Sequence, residues 1–168
     1  MTARSPEFSR PLKVDRVPRG GSYEKIVAEG AELKALALRL DVPALHGLRA
    51  ELMATPWRGG GLKLEGFLRA NLEQESVVSL EPFRHEVEFP VTRYFMADSA
   101  KVEDEEAEVD PIVNGYVDLG EVVAETLALD LDPYPRKPGE SFEAPGENET
   151  ERPAAVSPFA ALNKLKSK

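Results

Sequence analysis

Between Leu62 and Leu72 the chain alternates without a break. Leu62, Leu64, Gly66, Leu68, Ala70 and Leu72 fall on one parity; Lys63, Glu65, Phe67, Arg69, Asn71 and Glu73 fall on the other. A period of two gives each set its own face of an extended strand. The stretch before it repeats the pattern, with Leu48, Ala50, Leu52 and Ala54 alternating with Arg49, Glu51 and Met53. Thr55 to Gly61, which contains Gly59-Gly60-Gly61, reads as a loop between them. The two segments therefore predict an antiparallel hairpin with a glycine-rich tip. Phe83, Val87, Phe89, Val91 and Phe95 share odd numbers and predict a further strand. Its Pro90 cannot donate to a ladder and favours an edge or a bulge.

Around this hairpin the signals are mixed. Phe8 to Val17 and Ser22 to Ala28 read as two strands, separated by the turn Pro18-Arg19-Gly20-Gly21. Leu33, Leu36, Ala37 and Leu40 recur at helical spacing, and Pro43 discourages continuation. Asp118 to Leu131 predicts a second helix with Asp118 as N-cap. Glu121 completes a capping box, and Val117 with Val122 a hydrophobic staple. Leu119, Val122, Val123, Thr126 and Leu127 supply its apolar face, and Pro133, Pro135 and Pro138 end it. Gly139 to Ser157 is polar and proline-containing, which predicts disorder. Pro158 to Lys166 reads as a short terminal helix with Phe159, Leu162 and Leu165 on one side. The expected fold class is α+β: a mostly antiparallel sheet with two or three helices and a disordered C-terminal segment. One domain spans residues 1–138, with an acidic loop at 97–110 and a flexible tail at 139–168.

Composition narrows what such a domain does. The chain has 168 residues and a formal charge of −9, but the acidity is concentrated. Residues 1–96 carry 14 basic and 13 acidic groups, residues 97–150 carry 3 and 16, and residues 151–168 carry 4 and 1. A block of that kind repels phosphate backbones and attracts basic surfaces. A broad nucleic-acid binder normally shows the opposite footprint. There is no cysteine, hence no disulfide, no thiolate nucleophile and no thiolate zinc site. No run approaches the ~20 apolar residues of a membrane helix. The sequence from Met1 to Glu7 lacks the apolar stretch of a secretory signal, so a cytoplasmic location is expected.

No set of residues predicts catalysis, a cofactor or a metal. His46 and His85 stand on separate strands without further ligands at metal spacing. Asp118, Glu121 and Glu125 share a helical face, but capping accounts for two of them. Gly59-Gly60-Gly61 lacks the Lys-Ser/Thr of a phosphate-binding loop and precedes a strand instead of a helix. Two features suggest a partner surface. Trp57 either packs on the sheet edge or anchors a partner. Glu103, Asp104, Glu105 and Glu106 form an acidic run suited to docking a basic protein. The bases Arg4, Arg10, Lys13, Arg16 and Arg19 are the residues available to an RNA.

One segment goes beyond pattern. Ser76-Val77-Val78-Ser79-Leu80-Glu81-Pro82 resembles the Cys-x-x-Cys-Leu-Glu-Pro signature of the YceD family, the large ribosomal RNA subunit accumulation proteins. Downstream, Val117 to Leu129 resembles that family's second block, an Asp-Leu opening (Asp118, Leu119) followed by a Val-x-Glu-x-Leu helix (Val123, Glu125, Leu127) and prolines. Pro158 to Leu162, followed by Leu165 and Lys166, is similar to endings seen in the family. The resemblance covers residues 40–166. It departs at the cysteines, which stand here as Ser76 and Ser79. A second cysteine pair of some members falls where this chain has Arg136, Lys137 and Pro138. The resemblance implies a bacterial cytoplasmic factor in accumulation of the large-subunit ribosomal RNA. Its direct partner is expected to be a basic ribosomal or assembly protein, with direct contact to large-subunit rRNA, through the sheet and basic termini, as the alternative. The oligomeric state is left open.

Overall fold

The computed structural model describes residues 7–97 and 109–141. The core element is a five-stranded sheet built from β2 (Ser22–Val27), β3 (Ala44–Trp57), β4 (Gly61–Glu75), β5 (Pro82–Ala97) and β6 (Val109–Ile112), in the order β2-β3-β4-β5-β6. All neighbours are antiparallel except β6, which runs parallel to the last residues of β5. A two-stranded ribbon pairs β1 (Pro11–Lys13) with β7 (Tyr116–Asp118). Two helices complete the fold, α1 (Gly30–Arg39) between β2 and β3 and α2 (Leu119–Asp130) after β7. None of the helices among the described residues is long and apolar enough to cross a membrane.

The period-two pattern is read out directly. Leu48, Leu52, Leu64, Leu68 and Leu72 point to the inner face and are buried. The register places Ala50 opposite Leu68 and Leu52 opposite Gly66, so the apolar sets of β3 and β4 coincide. α2 covers that face with Leu119, Val123 and Leu127, all buried. The segment before β1 passes over the first turn of α2. Phe8 is buried there, and a Cβ at Gly120 would lie 2.4 Å from the Phe8 carbonyl oxygen. Only glycine fits this approach.

The expected α+β class, a mostly antiparallel sheet with two or three helices, is what the chain forms, with two α-helices among the described residues. Several boundaries differ. The strand expected over Phe8 to Val17 shrinks to Pro11–Lys13, followed by a single 3-10 turn at Val14–Arg16. The expected loop from Thr55 to Gly61 is mostly strand. β3 runs to Trp57, β4 starts at Gly61, and only Arg58–Gly60 turns, with Gly59 at φ 62° and Gly60 at φ 79°. The ends of the segment read as an acidic loop, Ala97 and Val109-Asp110, belong to β5 and β6. The rest of that loop, including Glu103, Asp104, Glu105 and Glu106, lies outside the described residues, as do residues 142–168 of the tail with the expected terminal helix. Pro90 sits opposite Phe67 without a register shift, and on its other flank β5 has no neighbour before Tyr94 among the described residues. The edge reading of Pro90 therefore holds, and no bulge is present there.

Candidate functional site

The segment Ser76–Pro82 forms the tight turn between β4 and β5. Ser76 is fully buried, and its amide donates to the Glu81 carbonyl at 2.9 Å while its carbonyl accepts from Leu80 N at 2.9 Å. Leu80 takes φ 59°, an unusual angle for a branched side chain, and its side chain is exposed. Pro82 opens β5 opposite Glu75. The Ser76 hydroxyl accepts from Val78 N at 3.2 Å and Ser79 N at 3.5 Å, and donates to the Glu140 carboxylate. One donor and two acceptor sites are all a serine hydroxyl has, so its capacity is used up. Ser79 Oγ accepts from Glu81 N at 3.4 Å.

The chain after α2 closes over this turn. Val77 N donates to the Pro135 carbonyl at 2.9 Å, and Lys137 Nζ lies 3.2 Å from Glu81. The Ser76 hydroxyl, and then that of Ser79, hold the Glu140 carboxyl below the usual carboxylate range. The turn and the 135–140 segment thus form one clasp of hydroxyl, carboxylate and ammonium groups. This donor set does not fit a thiolate zinc centre: its oxygens are already hydrogen-bonded, and a cation from the chain stands among them. Among the described residues no group of three or more His, Cys, Asp or Glu is placed to hold a metal. His46 pairs with Glu73 at 2.7 Å and His85 with Gln74 at 2.8 Å, and burial pushes the His85 imidazole below its ordinary range.

The second motif forms the start and buried face of α2. Asp118 caps the helix, accepting from Gly120 N at 3.0 Å and Glu121 N at 3.3 Å. It also accepts from Arg10 N at 2.7 Å, tying β1 to the helix start. The expected capping box is corrected, because Glu121 does not reach back. Its carboxylate pairs with Arg39 of α1. Glu125 instead faces Arg93, 3.4 Å away, which also binds Asp110 at 2.6 Å. Asp118, Glu121 and Glu125 are therefore drawn to three different partners. The capping box occurs in α1, between Glu29 and Glu32, where Glu32 also binds Arg10.

Trp57 stands at the tip of the β3–β4 hairpin. Its half-buried ring packs on Tyr94 at 4.9 Å between centroids, with the Arg58 guanidinium 5.8 Å from its centre. It is far along the strands from the Ser76 turn, so the structure does not bring the two together. Glu140 and Arg93 have no counterpart in the sequence reading, and Lys137 enters it only as a departure from a cysteine pair of the family. Glu140 falls in a polar, proline-containing stretch with no periodicity, so nothing local marks it.

Comparison with known proteins adds one finding. The family model described as large ribosomal RNA subunit accumulation protein YceD matches residues 64–166, a span that contains the Ser76 turn, α2 and the clasp. No curated protein and no solved structure matches the chain.

Proposed function

The chain belongs to the YceD family of large ribosomal RNA subunit accumulation proteins, and we propose that it serves that process as a non-catalytic cytoplasmic factor that binds a basic ribosomal or assembly protein. The supporting observation is the placement of charge. Residues 97–150 carry 16 acidic groups against 3 basic ones. On the described fold several arginines are tied to the protein's own carboxylates, with Arg10 on Glu32, Arg39 on Glu121, Arg69 on Glu88 and Arg93 on Asp110. Phosphates approaching such a surface meet neutralised cations and free carboxylates, whereas a basic protein meets the attraction it needs.

A second reading, direct rRNA binding, has one observation in its favour. On the outer sheet face Phe67 is 57% exposed beside Lys25, Arg49 and Arg69, a stacking surface whose cations an RNA would have to take from their partners Glu51, Glu86 and Glu88. Affinity capture of the tagged chain with and without nuclease separates the two. Partners retained after nuclease support the protein reading, and loss of all partners supports the RNA reading. Within the first reading, replacing Glu103, Asp104, Glu105 and Glu106 by Ser weakens capture and makes its salt dependence shallower. Unchanged capture and salt sensitivity would remove that run from the interface.

A further inference from the structure

At one end of the molecule the corner after α1, the end of β4 and the chain following α2 enclose a groove of about 650 Å³. Leu40, Val42, Val77 and Leu131 give it an apolar lining, continued by Pro133 and Pro135. Asp41, Glu75 and Asp132 also line it, and no basic side chain does. None of these three carboxylates pairs with a basic side chain among the described residues; Asp132 accepts from Tyr134 N at 2.8 Å. α2 ends here at Asp130 with no basic residue in its last turn, so the negative end of the helix adds to the same field. Leu129 and Tyr134, next to lining residues in the chain, are 78% and 72% exposed. An apolar floor with an unneutralised acidic rim suits a segment that is apolar and cationic at once.

The chain itself carries such a segment. Pro158 to Lys168 holds Phe159, Leu162 and Leu165 together with Lys164, Lys166 and Lys168, and contains no acidic residue. The chain leaves the described fold at Ser141, one residue past Glu140. Glu140 is fastened to Ser76, which sits between the lining residues Glu75 and Val77. The tether therefore starts at the rim of the groove. The span from 142 to 157 is 16 residues long; a tether of that length reaches at most about 58 Å when fully extended, and a flexible linker of that length would average about 20–24 Å. A segment on so short a leash samples its own groove at an effective concentration of order mM, well above that of any second copy in a dilute solution.

We infer that Pro158–Lys168 seats in this groove, with its lysines on the rim carboxylates and its apolar side chains on the floor. The inference stands apart from the partner reading above and survives or fails independently of it. Because the chain has no cysteine, the contact can be trapped in the full chain. Val77→Cys with Leu165→Cys places one thiol at the groove and one in the segment; Glu65→Cys with Leu165→Cys, on the outer sheet face, is the control. Oxidation at low micromolar concentration is expected to give an intramolecular disulfide at least tenfold faster for the groove pair. Adding Lys164→Glu, Lys166→Glu and Lys168→Glu is expected to abolish the advantage. Equal rates for the two pairs would overturn the inference, and so would an advantage that survives the lysine reversals. Disulfide-linked dimers whose yield rises with concentration would overturn it in favour of a second copy. The same lysine reversals are also made without added cysteines, with the melting temperature as the check that the fold is kept. Their amide shifts are expected at residues 40–43, 74–77 and 128–135, and the absence of shifts there also counts against the seating.

Discussion

The Ser76 hydroxyl donates to the carboxylate of Glu140, a residue 64 positions further along the chain. The bond fastens the segment after α2 to the turn that joins β4 and β5. Hydrogen bonds from Ser76, then Ser79, hold Glu140 below the ordinary carboxylate range. A carboxylate lowered in the folded state stabilises above its unfolded pKa, and that contribution is lost as the pH falls through the folded value. The difference in melting temperature between the wild type and Glu140→Gln is therefore expected to be present at pH 7 and to shrink as the pH drops below about 4.5. A difference that stays constant down to pH 2.5 would assign the effect to something other than ionisation.

Leu127 and Glu125 lie two positions apart on α2 and have opposite environments. Leu127 is fully buried, whereas Glu125 is half-exposed beside Arg93. Leu127→Ala is expected to cost about 2–5 kcal/mol. Glu125→Ala is expected to cost well under ~1 kcal/mol, since a surface ion pair contributes little. Urea unfolding of both variants reads this directly, and equal losses would mean that the packed face of α2 is elsewhere.

Two glycines in neighbouring strands make a matched pair. A Cβ at Gly66 would lie 2.0 Å from the Glu51 carbonyl oxygen, whereas at Gly47 nothing stands within 4 Å. Gly66→Ala must push β3 and β4 apart and is expected to destabilise by at least about 1–3 kcal/mol. Gly47→Ala is expected to be neutral or to stabilise by up to about 1 kcal/mol, because the unfolded chain loses freedom. Similar melting temperatures for the two variants would contradict the close approach at Gly66.

The clasp makes a prediction about metal. With hydroxyls at 76 and 79 and no cysteine anywhere in the chain, the purified protein is expected to carry no stoichiometric zinc, and a chelator is expected to leave its melting temperature unchanged. Elemental analysis finding about one zinc per chain would refute this.

Much of the sheet was legible because alternation is a local signal. Leu62 to Leu72 declares its two faces whatever surrounds it, and Asp118 announces a helix start by its own chemistry. What was hidden depends on distance. The short pairings Pro11–Asp118 and Tyr94–Val109 join segments too brief to show a period. Glu121 obeys the local rule for a capping box but is taken by Arg39, 82 residues away, a bidentate partner that outcompetes one backbone amide. The turn at Ser76 was legible as a motif through resemblance alone. Its partner Glu140 was not, since a lone glutamate among prolines carries no pattern.

Pro90 lies midway along a flank of β5 that no described strand covers. An uncovered strand edge is a template on which a foreign chain can lay down its own backbone, and so the usual starting point for aggregation. A proline offers no amide there, so the template is interrupted where it would otherwise be longest. At its far end β5 is covered by Val109 to Ile112, which pair with Tyr94 to Ala97. Among the described residues, Pro90 and β6 together leave a foreign strand only the shorter stretches of β5 on either side of the proline to pair with.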